Sequence, residues 1–197
     1  MEKPEALNAP LFRLLVDRLE AGGRHVVLDL GAASTPMLDL LGRFRCRVQI
    51  VDLASEGGIE RLNAAEPGDA LNATAESLLP THRSDGEAFD IVLCWDLPNY
   101  LTPPSLSALM SGIVARASPA VLAHALIAYS ERLMPDRPSH YLPTEDSRLV
   151  DRGGAVAKIE APRYSPEDLG RIMGGFTIER ARLLSNGMQE MLFRRQA

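Results

Sequence analysis

The sequence contains little cysteine, no excess of basic residues and no long apolar run. Its two cysteines, Cys46 and Cys94, lie in apolar segments without C-x-x-C spacing, so neither a disulfide framework nor a zinc site is indicated. We expect both to be buried thiols, and we expect no metal. The formal net charge of -5 offers no basic surface for a phosphate backbone, so nucleic acid is not indicated as a partner.

Membrane and export signals are also lacking. No stretch approaches the roughly 20 apolar residues that cross a bilayer. The first residues do not show the basic-then-apolar pattern of a secretory signal. We therefore expect a cytoplasmic protein without a membrane partner, and nothing in the sequence indicates an oligomeric state.

The apolar content is sufficient for one sizeable core. The chain has 197 residues, of which 46% are hydrophobic, so we expect a single domain over residues 1–197. Within residues 1–23, apolar residues recur at helical spacing after Pro10, and Gly22 and Gly23 follow them. This pattern predicts an N-terminal amphipathic helix that covers one face of a sheet.

Strand and helix patterns alternate along the first half of the chain. Buried strands are predicted over 26–30, 48–53 and 89–95, and a helix over 37–44. Residues 54–80 have no β-branched run, so we expect one or two helices there and a short or missing strand. Alternation of this kind is typical of an α/β fold built from right-handed crossover units.

The alternation of strand and helix patterns continues in the second half of the chain until residue 129 and then stops. A helix capped by Thr102 and a strand over 120–129 precede residues 130–164, which are rich in prolines and charges. We interpret 130–164 as an insertion or a lid over the site. Ser165 and Asp168 predict a second capped helix.

The sequence ends in a predicted β-hairpin. Asn186-Gly187 separates two strand-like runs, which favours a type I′ turn with a positive φ at both central residues. The sheet is therefore expected to end in an antiparallel pair.

Three segments together resemble the class I S-adenosylmethionine-dependent methyltransferases. These are Val27-Leu28-Asp29-Leu30-Gly31, Asp52 and the run from Phe89 to Leu93. The resemblance implies a Rossmann-like α/β fold with a mostly parallel sheet, helices on both faces and a C-terminal antiparallel hairpin. It also implies S-adenosyl-L-methionine as the cofactor and methyl transfer as the activity.

A cofactor site is expected where these segments end. Gly31 follows a buried strand at its carboxyl edge, where open α/β sheets bind ligands. Thr35-Pro36 predicts a helix cap whose free N–H groups face the turn. Asp52 comes 52 − 31 = 21 positions after Gly31, a spacing at which an acid accepts hydrogen bonds from ribose hydroxyls. The cofactor-binding candidates are Asp29, Gly31, Ala33, Ser34, Asp52, Trp95 and Asp96.

By resemblance, Asp29 helps to place the methionyl amino end, and Trp95 and Asp96 approach the transferred methyl group. Asp29 could instead be a capping carboxylate, and Trp95 could belong to the core. The turn Gly31-Ala32-Ala33-Ser34-Thr35 departs from the usual Gly-x-Gly-x-Gly. Ala33 must therefore take a right-handed conformation or hold the backbone away from the ligand.

An adenine-contacting acid cannot be placed from the sequence. Asp69 and Glu76 are both possible, and both also fit solvated helix residues.

His140 and Tyr141 are the candidates for a catalytic base, because the segment that holds them follows the fifth strand of the family. His140 could equally be a surface histidine, and His124 within a strand is predicted to be a core histidine.

We therefore expect a methyltransferase for an unidentified small molecule or protein acceptor. The alternatives are a catalytically inactive methyltransferase-like binding or regulatory protein, and a dinucleotide-dependent oxidoreductase.

Overall fold

The computed structural model describes residues 6–81, 87–153 and 157–196. Its strands, in chain order, are β1 (Ala6–Leu7), β2 (His25–Asp29), β3 (Cys46–Ile50), β4 (Phe89–Trp95), β5 (Ala117–Ala128), β6 (Leu133–Pro135), β7 (Tyr141–Pro143), β8 (Leu149–Asp151), β9 (Lys158–Glu160), β10 (Phe176–Leu183) and β11 (Met188–Arg195). Its helices are α1 (Pro10–Glu20), α2 (Thr35–Leu41), α3 (Gly58–Ala64), α4 (Asp69–Leu78), α5 (Pro103–Val114) and α6 (Pro166–Ile172), with a 3-10 helix over Leu97–Tyr100.

A six-stranded sheet in the order β10-β11-β5-β4-β2-β3 forms the centre of the fold. The strands β2, β3, β4 and β5 pair in parallel, and β11 is antiparallel to both neighbours. The predicted antiparallel pair at the end of the chain is confirmed. Between residues 54 and 80, all of which the structure describes, two helices form and no strand does, as expected.

Helices cover both faces of this sheet, because consecutive residues of its central strands are apolar and point to opposite faces. Val26 and Leu28 of β2 pack in one core with α3, α4, α5 and α6. Val27, between them, packs in a second core with α1 and α2. Burial on both faces explains the near-continuous apolar runs of the central strands. Among the described residues, no helix has the length and apolarity that a membrane span requires.

The structure corrects several predicted details. Ser34, not Thr35, caps α2, since its Oγ accepts from the Met37 N–H at 3.3 Å, and α2 covers 35–41 where 37–44 was predicted. β3 ends at Ile50, so Asp52 lies just beyond the strand. Cys94 is buried and burial raises its pKa to about 12, whereas Cys46 is only half-buried.

The hairpin forms, but its turn is not type I′. The Gly187 N–H donates to the Leu184 carbonyl, and the Leu184 N–H donates to the Met188 carbonyl. Within this loop only Gly187 has a positive φ, of 80°. A type I turn followed by one left-handed residue fits a three-residue loop. A side chain at Gly187 would also meet the Ser130 hydroxyl.

Residues 130–164 contain short strands rather than a continuous loop. β6 pairs with β9, while β7 pairs with β8, which in turn pairs with β1 near the N-terminus. Residues 154–156 of this segment, and 1–5 of the N-terminal region, lie outside the described residues. The segment is thus joined to the N-terminal region by backbone hydrogen bonds.

A buried glutamate holds α1 against the sheet. The N-cap residue Ala9 has no side-chain acceptor, and the Leu11 and Phe12 N–H groups donate instead to the Glu190 carboxylate of β11, at 2.9 and 2.7 Å. His124 Nε2 of β5 lies 2.9 Å from the same carboxylate, and both side chains are 0% exposed. His124 is therefore a core residue, and Glu190 takes the place of the missing cap.

Candidate functional site

A cleft that is partly open to solvent lies where β2, β3 and β4 end. The chain runs from β2 to β3 on one side and returns to β4 on the other, so strand order reverses here. Open α/β sheets bind ligands at such a point. Most predicted site residues line the cleft: Asp29, Gly31, Ser34, Asp52, Trp95, Asp96, His140 and Tyr141.

The Asp29 carboxylate anchors the first wall of the cleft. Its Oδ1 accepts from the Trp95 indole N–H at 2.7 Å and from the Gly31 backbone N–H at 3.0 Å. The side chain is 2% exposed. Burial raises the pKa of Asp29, and these two hydrogen bonds oppose the rise. Asp29 therefore links the turn after β2 to the end of β4.

A glycine is required at position 31 because the Trp95 ring lies close to it, and not because the backbone there has a positive φ. A Cβ at this position would lie 2.7 Å from Trp95 Cδ1 and 2.9 Å from Trp95 Nε1. The Trp95 ring therefore lies directly against the turn, in space that any other residue at position 31 would fill.

Ala33 and Thr35 stand at the later glycine positions of the Gly-x-Gly-x-Gly turn without backbone strain. Neither residue has a positive φ. Ala32 lines the cleft, whereas Ala33 is exposed and does not line it. Ala33 therefore has no left-handed backbone, and this turn needs no glycine after Gly31.

The Asp52 carboxylate lies just beyond the end of β3, on the second wall of the cleft. Its Oδ1 accepts from the Ser55 N–H at 2.9 Å, which closes a small turn after β3. Of the two acids considered for adenine, neither lines the cleft. Asp69 lies in the first turn of α4, and Glu76 forms an ion pair with Arg116.

Trp95 has an unusual backbone conformation at the end of β4. Its φ is 51°, a region that bulky residues rarely adopt. The indole stacks on the Tyr141 ring with centroids 5.9 Å apart, and it packs against Phe12 and His124. Trp95 therefore belongs both to the core and to the cleft wall, which joins the two interpretations made from the sequence.

Asp96 is a buried carboxylate whose two oxygens differ in their hydrogen bonding. Oδ2 accepts from the Ser139 N–H at 2.9 Å, while Oδ1 has no hydrogen-bond partner within the described ranges. The residue is 3% exposed, and burial raises its pKa to about 7. The sequence indicated Asp96 only as a cofactor contact. An acid directly after a buried strand was the available signal for a titrating group.

Residues from the 130–164 segment complete the cleft. His140 and Tyr141 both line it, so the segment does reach the site. His140 is half-buried, and its Nε2 has no hydrogen-bond partner among the residues described. The Tyr141 hydroxyl donates to the Met188 sulfur at 3.4 Å, and burial raises its pKa well above the usual value.

A second cavity, also partly open to solvent, adjoins the cleft. Asp96, Ser139 and Tyr141 line both spaces and form their shared wall. Glu131 and Asp151 line the second cavity only. Across the described chain, no group of three or more His, Cys, Asp or Glu side chains could hold a metal ion.

Sequence comparisons find no relatives, and structural comparisons find many. No protein-family model matches the chain, and no curated protein matches it in sequence. Its fold is similar to an S-adenosylmethionine-dependent methyltransferase from Clostridium acetobutylicum, with 14% identity, a TM-score of 0.58 and 96% of this chain and 91% of that chain covered.

Two further structures were solved with a ligand. One is the Burkholderia thailandensis 1,6-didemethyltoxoflavin-N1-methyltransferase with bound 1,6-didemethyltoxoflavin and S-adenosylhomocysteine, at 19% identity and a TM-score of 0.50, with 96% and 80% covered. The other is the glycopeptide N-methyltransferase MtfA with S-adenosylmethionine, at 14% identity and a TM-score of 0.52, with 96% and 88% covered. The chain therefore has the predicted class I methyltransferase fold.

Proposed function

We propose that this protein binds S-adenosylmethionine in the cleft and transfers its methyl group to an acceptor. The observation that carries the proposal is the meeting of Asp29, Asp52 and Asp96 around one cleft at the point where strand order reverses. Proteins of the same fold hold S-adenosylmethionine or S-adenosylhomocysteine. The cofactor would supply an electrophilic methyl group on a sulfonium.

The chemistry of the cleft fits this ligand. Both apolar and polar groups line the cleft, as they do in small-molecule sites. One buried polar atom on its lining residues, His140 Nε2, has no partner among the described residues and is free for the cofactor. Buried polar groups without partners cost free energy, so a ligand that pairs with them binds more favourably.

Each wall residue has a role that follows from its contacts. Asp52 retains one carboxylate oxygen besides the one that binds Ser55, and it would accept from the ribose hydroxyls. Because Trp95 and Gly31 share Asp29 Oδ1, the methionyl amino group would meet the other oxygen. His140 would donate from Nε2 to the carboxylate of the methionyl group. These contacts orient the ligand, and orientation is the main requirement of a displacement at carbon.

One observation favours the alternative of a binding protein without catalysis. The Trp95 ring lies directly against Gly31 and occupies one oxygen of Asp29, which reduces the room and the hydrogen-bonding capacity beside the turn. A protein of this kind would bind the cofactor or its product weakly, or would bind a different ligand in the cleft.

Calorimetric titration separates these possibilities. We expect S-adenosylmethionine and S-adenosylhomocysteine to bind the wild type, and Asp52→Asn to weaken both by roughly tenfold, the loss of a charged hydrogen bond. Asparagine still accepts from the Ser55 N–H but offers no second acceptor to a ribose hydroxyl. Asp39→Asn, on an exposed residue of α2, removes the same charge outside the cleft and should change neither affinity.

The absence of binding to both ligands at millimolar concentration would contradict the proposal. Binding of a nicotinamide dinucleotide instead would favour the oxidoreductase. Binding without production of S-adenosylhomocysteine from any acceptor would favour the inactive protein.

A further inference from the structure

The second cavity has a chemistry of its own. It lies between the end of β5, the 3-10 helix, the 130–164 segment and the hairpin turn. Much of its wall is apolar or aromatic, including Met134, Tyr141 and Met188. A small molecule with an apolar surface fits a cavity with such walls.

The charged groups around this cavity are all acidic. Asp96, Glu131 and Asp151 line it, and no Lys, Arg or His does so among the residues that the structure describes. Asp96 and Asp151 are close enough that the charge of Asp151 further raises the pKa of Asp96. Mutually repelling carboxylates around a pocket attract a cation and disfavour an anion.

Asp96 provides an independent sign of a missing partner. It is 3% exposed, and its Oδ1 lacks a hydrogen-bond partner among the described residues, although Oδ2 accepts from the Ser139 N–H. The Tyr141 hydroxyl lies near enough to lower the pKa of Asp96, but it donates to the Met188 sulfur, which leaves Asp96 Oδ1 as an acceptor without a donor. Asp96 also lies in the wall that separates this cavity from the cofactor cleft.

We propose that the second cavity binds the methyl acceptor, a small molecule with a protonated nitrogen beside an apolar body, and that Asp96 Oδ1 takes the proton from that nitrogen. The inference rests on the proposed function for its chemistry, but the binding of a cation in this cavity does not require the cofactor. Asp151 and Glu131 attract the cation. Asp96 lies in the wall shared by this cavity and the cleft, where the cation would meet it.

The reaction balances with the groups named. The ammonium N–H bond breaks, its electron pair stays on nitrogen, and the proton moves to the Asp96 carboxylate. The neutral nitrogen then attacks the methyl carbon. The N–C bond forms as the S–C bond breaks, sulfur retains that electron pair, and S-adenosylhomocysteine and a methylated ammonium result. Asp96 returns its proton to water after product release.

The first test measures charge preference without the cofactor. A panel of arylalkyl amines, each with its matched alcohol and carboxylate, is screened by ligand-observed NMR at up to about 10 mM, where fragments of this size bind. We expect binding to concentrate among the amines. Asp151→Asn, which can still accept from the Gly153 N–H, should weaken amine binding at least several-fold at low salt and leave alcohols unchanged.

Asp146→Asn is the matched control, because Asp146 lies in the same segment, is exposed and lines neither cavity. It should leave the panel unchanged. Equal binding of alcohols or carboxylates, no binding of any amine, or an unaltered panel for Asp151→Asn would overturn the inference.

The second test addresses Asp96 in turnover. For an amine that is methylated, kcat/KM of the wild type should rise as pH increases through about 7, where Asp96 ionises, and Asp96→Asn should abolish this rise. A rise that persists in Asp96→Asn would assign the proton transfer elsewhere. Because calorimetry with S-adenosylhomocysteine reports on the cleft alone, failure of cofactor binding is distinguishable from failure at the second cavity.

Discussion

The contact between Gly31 and Trp95 determines the shape of the cleft wall. Gly31→Ala places a methyl group 2.7 Å from Trp95 Cδ1, so the ring must move and its hydrogen bond to Asp29 must lengthen. We expect a loss of roughly 1–3 kcal/mol in the free energy of unfolding, the usual cost of overpacking. Trp95 is the single tryptophan in the sequence, so its fluorescence emission reports on this ring alone.

Gly170→Ala is the control for that substitution. A Cβ at Gly170 meets nothing within 4 Å, and the residue lies in α6, where alanine is favoured. This variant should retain the wild-type emission and gain slight stability in urea. If Gly31→Ala likewise retains the wild-type emission and stability, the position of the Trp95 ring does not depend on a glycine at position 31.

The buried Asp96 carboxylate makes stability depend on pH. Its folded pKa of about 7 lies above the ordinary 3.8, so the folded state binds more protons than the unfolded state between these values. Stability from this group is therefore complete below pH 4 and is lost as pH rises through 7. From pH 5 to 8 the loss is on the order of 3 kcal/mol.

Asp96→Asn removes this dependence while it preserves an acceptor for the Ser139 N–H. Urea unfolding of both proteins at pH 5 and pH 8 should show the variant gaining relative stability at the higher pH. Asp39→Asn, at an exposed position, serves as the reference. A difference between wild type and Asp96→Asn that does not vary with pH would mean that Asp96 is already ionised at pH 5.

Among elements, the attachment of α1 to the sheet depends on a carboxylate from β11. Glu190→Ala leaves the Leu11 and Phe12 N–H groups and the His124 ring without their acceptor in a fully buried place. We expect a loss of about 3–5 kcal/mol in unfolding free energy, as for other broken buried pairs. Urea unfolding measures this loss.

Glu179→Ala is its control, since Glu179 is exposed on the neighbouring strand β10. That variant should lie within about 0.5 kcal/mol of wild type. Similar losses for the two variants would show that water or another group replaces Glu190 as the acceptor.

Elements with regular patterns could be predicted from the sequence, and contacts between distant elements could not. The apolar runs of β2 and β4 and the caps of α5 and α6 are local signals, so their elements form where predicted. The strands β6 to β9 have three residues each, and such short strands leave no periodicity to detect.

The candidate site follows the same division. Asp29, Gly31 and Asp52 lie at the ends of strands or within two residues of them, so the sequence indicated that they meet at one sheet edge. The pairing of Asp96 with Ser139 and of Glu190 with His124 depends on how distant segments pack. For Glu190 and His124, the local signal is a charged or polar residue inside each of two apolar strands. This signal indicates that each residue needs a buried partner, but it does not identify the partner.

At the scale of the whole molecule, the sheet separates two apolar cores and carries the site at one of its edges. Asp96, which follows β4, and residues of the segment after β5 line both the cleft and the second cavity, so Asp96 lies where the two spaces adjoin. Because α1 and β1 contact β11 and β8 respectively, the N-terminal region supports the same side of the molecule as the 130–164 segment. The second cavity is thus bounded by parts of the chain that are distant in sequence.

During synthesis, α1 leaves the ribosome long before the carboxylate that caps it. Leu11 and Glu190 are 179 positions apart, which corresponds to roughly 10 to 40 seconds of translation at about 5–20 residues per second. Until β11 emerges, the Leu11 and Phe12 N–H groups and the edge of β5 that pairs with β11 lack their native partner. Closing so long a loop is also slow for entropic reasons. The attachment of α1 to the sheet is therefore completed only after most of the chain has been translated, and the first turn of α1 lacks its buried acceptor throughout that interval.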